Sequence, residues 1–260
     1  MNSNYIQHTV QAHYDAIVEM MGSTRAVLGA FAYGSMNYGL FIPGISDVDT
    51  KVIVVPSLDN CIFDRPISKD TSIDDTVCTV KDIRLIVNNY KKQSINFIET
   101  LFTPYFVLNP LYEDIFQQYF LDHREAIARY DVYTAFKNAC YYCKKHLDKL
   151  FKMYVIDNKT DNKTYVTVMR LLDFISRYFK GTESYEDCLI PKRVQELRDI
   201  RLNPSSTYSF DELQKLQTIF HFYFSKIDSL RPIKKIYNLD SFLDMGIKRL
   251  IYKRADILHS

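Results

Sequence analysis

Five of the seven glycines in this chain fall between positions 22 and 44, and two carboxylates follow them within a few residues. The stretch reads Phe31-Ala-Tyr-Gly34-Ser35-Met-Asn-Tyr38-Gly39, then Ser46-Asp47-Val-Asp49-Thr-Lys-Val-Ile-Val-Val55. An apolar run enters a Gly-Ser turn, and a short loop leads to a second apolar run that opens with two aspartates. This order predicts two neighbouring strands. Alternate residues of a strand point to one side, so Asp47 and Asp49 are expected side by side. Glycine admits positive φ and close ligand approach, so a glycine-poor chain that gathers its glycines here is shaping a site. Paired carboxylates facing a turn of free backbone N–H groups suit metal-assisted phosphoryl chemistry, with oxygen ligands for Mg²⁺. The plain alternative is a hairpin with a surface Asp-Val-Asp.

The stretch Gly34-Ser35-Met-Asn-Tyr38-Gly39 … Ser46-Asp47-Val-Asp49 resembles the DNA polymerase β-like nucleotidyltransferases, closest to predicted bacterial and phage members. Asn96-Phe-Ile-Glu99-Thr-Leu-Phe is similar to an Asn-x-x-Glu-x-Leu-Phe segment of that group. Lys163 to Arg170 and Arg198 to Arg201 resemble basic positions in its helical half. The resemblance implies a metal-dependent nucleotidyltransferase that moves a nucleoside monophosphate from a nucleoside triphosphate, ATP for preference, to a hydroxyl. The acceptor stays open between an RNA end, a protein and a small molecule. The resemblance also implies Gly34, Ser35, Tyr38, Ser46, Lys163, Arg170 and Arg198 as nucleotide contacts. Asp47 and Asp49 become catalytic ligands of Mg²⁺ (or Mn²⁺). A third carboxylate is expected on a neighbouring strand, and Asp75 is preferred to Asp74 because the group often begins this strand with Asp. Asp-Asp before a strand is also ordinary turn chemistry. The rival reading is a non-catalytic nucleotide-binding or interaction protein that keeps the fold.

At 260 residues the chain can bury a sizeable core. No apolar stretch approaches the ~18 residues of a membrane span, and the N-terminus lacks a signal-peptide pattern. A cytoplasmic protein is expected. Residues 1–120 carry 8 Lys and Arg against 13 Asp and Glu, a balance of −5. Residues 121–260 carry 25 against 18, a balance of +7. The acidic half holds the aspartate pair, and the basic half could offer counter-charge to phosphates. A surplus of that size also fits a solvated surface.

The fold expected is α+β, with a small mixed-sheet catalytic unit over 1–105 and a helical unit over 106–260. Strands are expected at Arg25–Tyr33, Asp47–Val55 and Asp75–Val80, with a loop over 57–73. Helices are expected near Ile6–Met21, Asp82–Lys92, Ser94–Phe102, Leu111–Phe120, His123–Val155, Lys163–Lys180, Pro191–Arg201, Phe210–Ile227 and Leu239–Ile257. Gly181 suits a helix C-cap, and Ser209-Phe-Asp-Glu212 has the capping-box pattern. Cys140-Tyr-Tyr-Cys143, with His146 one turn on, lacks the second ligand pair a structural zinc needs, so buried helix cysteines are expected.

Overall fold

The computed structural model describes residues 2–157, 159–203, 208–230 and 238–256. The fold is α+β, with a five-stranded mixed sheet and a helical C-terminal region. The strands are β1 Val27–Ala32, β2 Thr50–Val54, β3 Ser68–Ile73, β4 Thr76–Asp82 and β5 Phe106–Leu108, in the order β3-β4-β2-β1-β5. β2 and β4 run parallel, with Thr50 opposite Cys78. The other pairings are antiparallel.

Every residue of β1 and β2 is buried, which accounts for their continuous apolar runs. β3 reads Ser-Lys-Asp-Thr-Ser-Ile and lies within the expected loop. It carries a single apolar residue because it is an exposed edge strand held by its ladder to β4. β5 also lies outside the expected strands, and it closes the other edge. There β1 comes so near that a Cβ on Gly29 would stand 2.5 Å from the carbonyl oxygen of Val107.

The structure divides into two compact units, and the division differs from a cut near residue 105. The first unit holds the chain up to Asn37, Pro43–Tyr130 and the C-terminal helix. It contains the sheet, α1 (Asn2–Met21), α2 (Ile83–Lys91), α3 (Ile95–Ile98) and, from the far end of the chain, α8 (Leu239–Asp256). Burial of Leu239, Leu243 and Leu250 holds α8 there. So do ion pairs from Lys91 to Asp244 at 2.7 Å and from Lys253 to Asp114 at 2.9 Å. Ile257, the expected end of this helix, lies outside the described residues.

The second unit holds Tyr38–Ile42 and the chain from Asp131 to the turn at Ile227–Leu230. Its helices are α4 (Val132–Phe151), α5 (Asn162–Lys180), α6 (Val194–Leu202) and α7 (Phe210–Phe224). The expected helix over 123–155 is interrupted. Asp131 caps α4 by accepting hydrogen bonds from the backbone N–H and the hydroxyl of Thr134, at 3.0 and 2.8 Å. Gly181 ends α5 in the left-handed conformation, and the Ser209–Glu212 capping box is complete.

In α1 the buried stripe runs Ile6, Val10, His13, Ile17, a helical spacing that includes one imidazole. His13 is fully buried, with Nδ1 2.6 Å from the hydroxyl of Thr50 on β2 and Nε2 2.7 Å from that of Thr76 on β4. Burial holds its pKa below 6.5, against smaller opposing effects of Ile73 and Asp74. The unfolded chain therefore takes up a proton below pH 6.5 that the folded chain resists, and stability falls as pH falls from there. Thermal melts between pH 7.5 and 5 should show His13→Gln losing less stability on acidification than wild type. Parallel curves for the two proteins would refute this account.

Candidate functional site

In the first unit, the last residue beyond β1 is pinned to the aspartate pair. The backbone N–H of Tyr33 donates to the carbonyl of Asp49 at 3.1 Å. The chain turns at once through Gly34 and Ser35, and the turn is closed by Asn37 N–H to Gly34 carbonyl at 3.0 Å. Gly34 has φ +88, and no atom lies within 4 Å of where its Cβ would stand. Glycine is required here by backbone conformation and not by crowding. Asn37, missed by the sequence reading, braces the turn. Its amide donates to the carbonyls of Ala32 at 3.4 Å and Glu99 at 3.3 Å.

Asp47 is exposed, and Ser46 and Asp49 are partly buried. Both aspartates precede β2, which begins at Thr50, and Asp49 is near enough to act on the charges of Tyr33 and Lys51. Asp74 and Asp75 form the two-residue turn of the β3–β4 hairpin, with φ +48 and +61. The β2–β4 ladder begins at Thr50 with Cys78, and Asp75 precedes it in the hairpin turn. Among the described residues, no three His, Cys, Asp or Glu side chains converge as a metal-binding group.

The same sheet face carries a charged cluster that the sequence reading passed over. Lys51 is 3 % exposed, and its amine lies 2.8 Å from the ring centroid of Tyr33 and 5.0 Å from that of Phe97. Lys51 is opposite Thr79, and Thr79 is opposite Asp70 on β3. Glu99 is fully buried beneath them. Burial pulls the Lys51 pKa down to about 7, against the upward pull of Glu99 and Asp49. Burial also pushes the Tyr33 hydroxyl up to about 12, with Asp49 adding to it and a hydrogen bond from Thr79 opposing. The available signal was a lysine at the head of the apolar run Val52-Ile-Val-Val55, two residues after Asp49. Nearby, a pocket of about 360 Å³ is lined by Phe31, Thr100, Thr103, Gln117 and Arg124. Phe31 is the register partner of Lys51.

The remaining site residues lie in the second unit. Tyr38 is buried there, and the guanidinium of Arg170 stacks over its ring at 3.7 Å. Arg201 donates to the carbonyl of Leu40 at 2.9 Å. Lys163 is exposed in the first turn of α5, and Arg198 is half-buried on α6. Cys140 and Cys143 are buried in α4, where burial pushes both thiols up to about 12. Both are therefore protonated thiols at neutral pH.

No protein-family model matches the chain, and no curated protein matches it. Among the described residues, no helix is long and apolar enough to cross a membrane.

The geometry of the turn gives a direct test. Because a methyl group at position 34 meets nothing but must adopt positive φ, Gly34→Ala should cost about 1 kcal/mol, the backbone term alone. Urea unfolding measures this. A loss above about 3 kcal/mol would mean that the position is sterically enclosed.

Proposed function

We propose that this protein is a metal-dependent nucleotidyltransferase, as its resemblance to the polymerase β-like group implies. The reading rests above all on one observation. A Gly-Ser turn with an open left-handed glycine is held by a 3.1 Å backbone bond beside two alternate aspartates. Backbone N–H groups of such a turn and the Ser35 hydroxyl are suited to phosphate oxygens. Asp47 and Asp49 offer hard oxygen donors of the kind Mg²⁺ or Mn²⁺ prefers. A bound ion would supply charge neutralisation at the phosphates and acidify an acceptor hydroxyl. The chain's own part is positional. The turn orients the triphosphate, Asp47 and Asp49 hold its counter-charge, and Asn37 keeps the turn from shifting. Asp75 would complete the set only by leaving its hairpin turn. Asp70 is the carboxylate in the Lys51–Thr79 row.

ATP remains the nucleotide proposed. Among RNA, protein and small-molecule acceptors, the pocket beside Phe31 favours the last, since its volume falls in the range of small-ligand sites. A cytoplasmic setting belongs to the same proposal. The rival, a nucleotide-binding protein without turnover, is favoured by one observation. Among the described residues no third acidic group joins Asp47 and Asp49 in a metal-binding cluster, and Lys51 beside Asp49 is buried.

Pyrophosphate release from each nucleoside triphosphate, with Mg²⁺ or Mn²⁺, separates the two. Asp49→Asn and Asp47→Asn should each lower turnover by more than about a hundredfold. Neither should lower the melting temperature of the metal-free protein, because each change relieves repulsion between neighbouring carboxylates. Turnover close to wild type in both variants would remove the catalytic assignment. Wild-type protein that gains thermal stability from ATP and Mg²⁺ but releases no pyrophosphate would establish the rival.

A further inference from the structure

Three helices of the second unit, α5, α6 and α7, leave a cavity of about 200 Å³ between them. On α5 its wall is Met169, Leu172, Asp173 and Ser176, an i, i+3, i+4, i+7 series. That is the spacing of a stripe that packs against neighbouring helices, yet two of its four residues are polar. From α7 come Leu216, Ile219 and Tyr223, again at i, i+3 and i+7, and from α6 comes Leu197. Leu172, Leu197 and Leu216 are buried, whereas Ile219 is 44 % exposed and stands at the open side. A dry cavity of about 150 Å³ with apolar walls accepts a benzene ring. This one has room for a ring and a short polar tail.

The polar groups of the cavity are acceptors with capacity left. Asp173 Oδ2 accepts from Nη1 of Arg177 at 3.2 Å and from the backbone N–H of Lys192 at 3.3 Å. Among the described residues, nothing donates to Oδ1. Arg177 is fixed elsewhere. Its Nε donates to Glu183, its Nη2 to the carbonyl of Asp187 and its Nη1 also to the carbonyl of Ile190, each at 2.6 Å. One buried guanidinium thus faces two carboxylates, Asp173 and Glu183. Lys192 reaches Glu183 at 3.3 Å, but from an exposed side chain whose charge solvent screens. Arg193 lines the cavity as well, and it is equally exposed and bonded to Glu196 at 3.2 Å. Next to Asp173 on the α5 face, Ser176 Oγ accepts from the Tyr223 hydroxyl at 2.7 Å, which leaves lone pairs of the Tyr223 oxygen unspent. The interior balance is therefore negative and accepting. It selects a cation that brings its own donors, and an ammonium brings three.

We propose that this cavity binds a small primary amine carried on an apolar ring, with its ammonium on Asp173 and its ring among Leu172, Leu197 and Leu216. The inference goes beyond the nucleotidyltransferase reading and uses none of its residues.

The test uses the full-length chain and three probes that share one ring: 2-phenylethylamine, 2-phenylethanol and 3-phenylpropionate. Calorimetric titration at neutral pH and matched ionic strength gives each affinity. The amine should bind at least about tenfold tighter than the alcohol, since a charge-assisted hydrogen bond replaces a neutral one, and the carboxylate should bind weakest. Asp173→Asn should bring the amine down to the affinity of the alcohol and leave the alcohol unchanged. Ile219→Trp fills the open side from an exposed position, so this variant should melt as wild type does and bind none of the three. If Asp173→Asn melts too low to titrate because Arg177 loses a partner, the wild-type ratio and Ile219→Trp still decide. The inference is overturned if the alcohol or the carboxylate matches the amine, or if no probe binds with a Kd below about 1 mM. It is overturned equally if Ile219→Trp binds the amine as wild type does.

Discussion

One backbone hydrogen bond, from the N–H of Tyr33 to the carbonyl of Asp49, sets the geometry on which the candidate site depends. It extends the antiparallel β1–β2 ladder past its last formal pair, Ala32 with Thr50. The Gly-Ser turn therefore begins next to the second aspartate. A slip of one residue would send Asp47, Asp49 and Lys51 to the opposite face of the sheet, among the residues packed against α1. Burial on both faces makes that slip expensive, because Val52 and Val54 would trade places with a lysine. Register is thus enforced by the apolar run, and the polar residues at its entrance inherit their positions from it.

That dependence explains which parts were legible. β1, β2, their turn and the paired aspartates announce themselves through a contrast of apolar runs with glycine and carboxylate. The caps at Gly181 and Ser209 are equally local, each a single residue type matched to one backbone need. β3 was illegible because an exposed edge strand needs no alternation of apolar residues. β5 has three residues, too few for periodicity to register. The break before α4 was hidden because Asp131 is an unremarkable residue until Thr134 is seen bonded to it. Return of α8 to the first unit is a tertiary event, decided by residues more than a hundred positions away, such as Asp114 and Lys91.

Around the aspartates, two electrostatic effects compete over Lys51. Burial disfavours its charge, while Glu99 and Asp49 favour it, and burial prevails. The order of magnitude is set by the shift from 10.5 to about 7. A buried amine in this balance is sensitive to its neighbours, since each carboxylate that is neutralised removes part of what holds the proton on. Tyr33 is tuned in the same direction by the same surroundings, kept protonated by burial and by Asp49. The sheet face beside the turn is consequently not a passive floor. It holds a lysine, a tyrosine, two acidic groups and a threonine in one hydrogen-bonded and electrostatic neighbourhood.

The basic surplus of the later sequence reads differently once its arginines are located. Of the basic positions carried by the resemblance, Lys163, Arg170, Arg198 and Arg201, Lys163 alone is exposed. Arg201 spends a donor on the carbonyl of Leu40, and Arg170 lies against Tyr38. Tyr38, Leu40, Phe41 and Ile42 are all buried in the helical unit, with Gly39 facing Val194 at 3.4 Å. These five residues stand between Ser35 and Asp47 in the chain. Net charge records only how many cations a segment has. Here Arg201 bonds the carbonyl of Leu40 and Arg170 stacks on Tyr38, contacts that no count of lysine and arginine records.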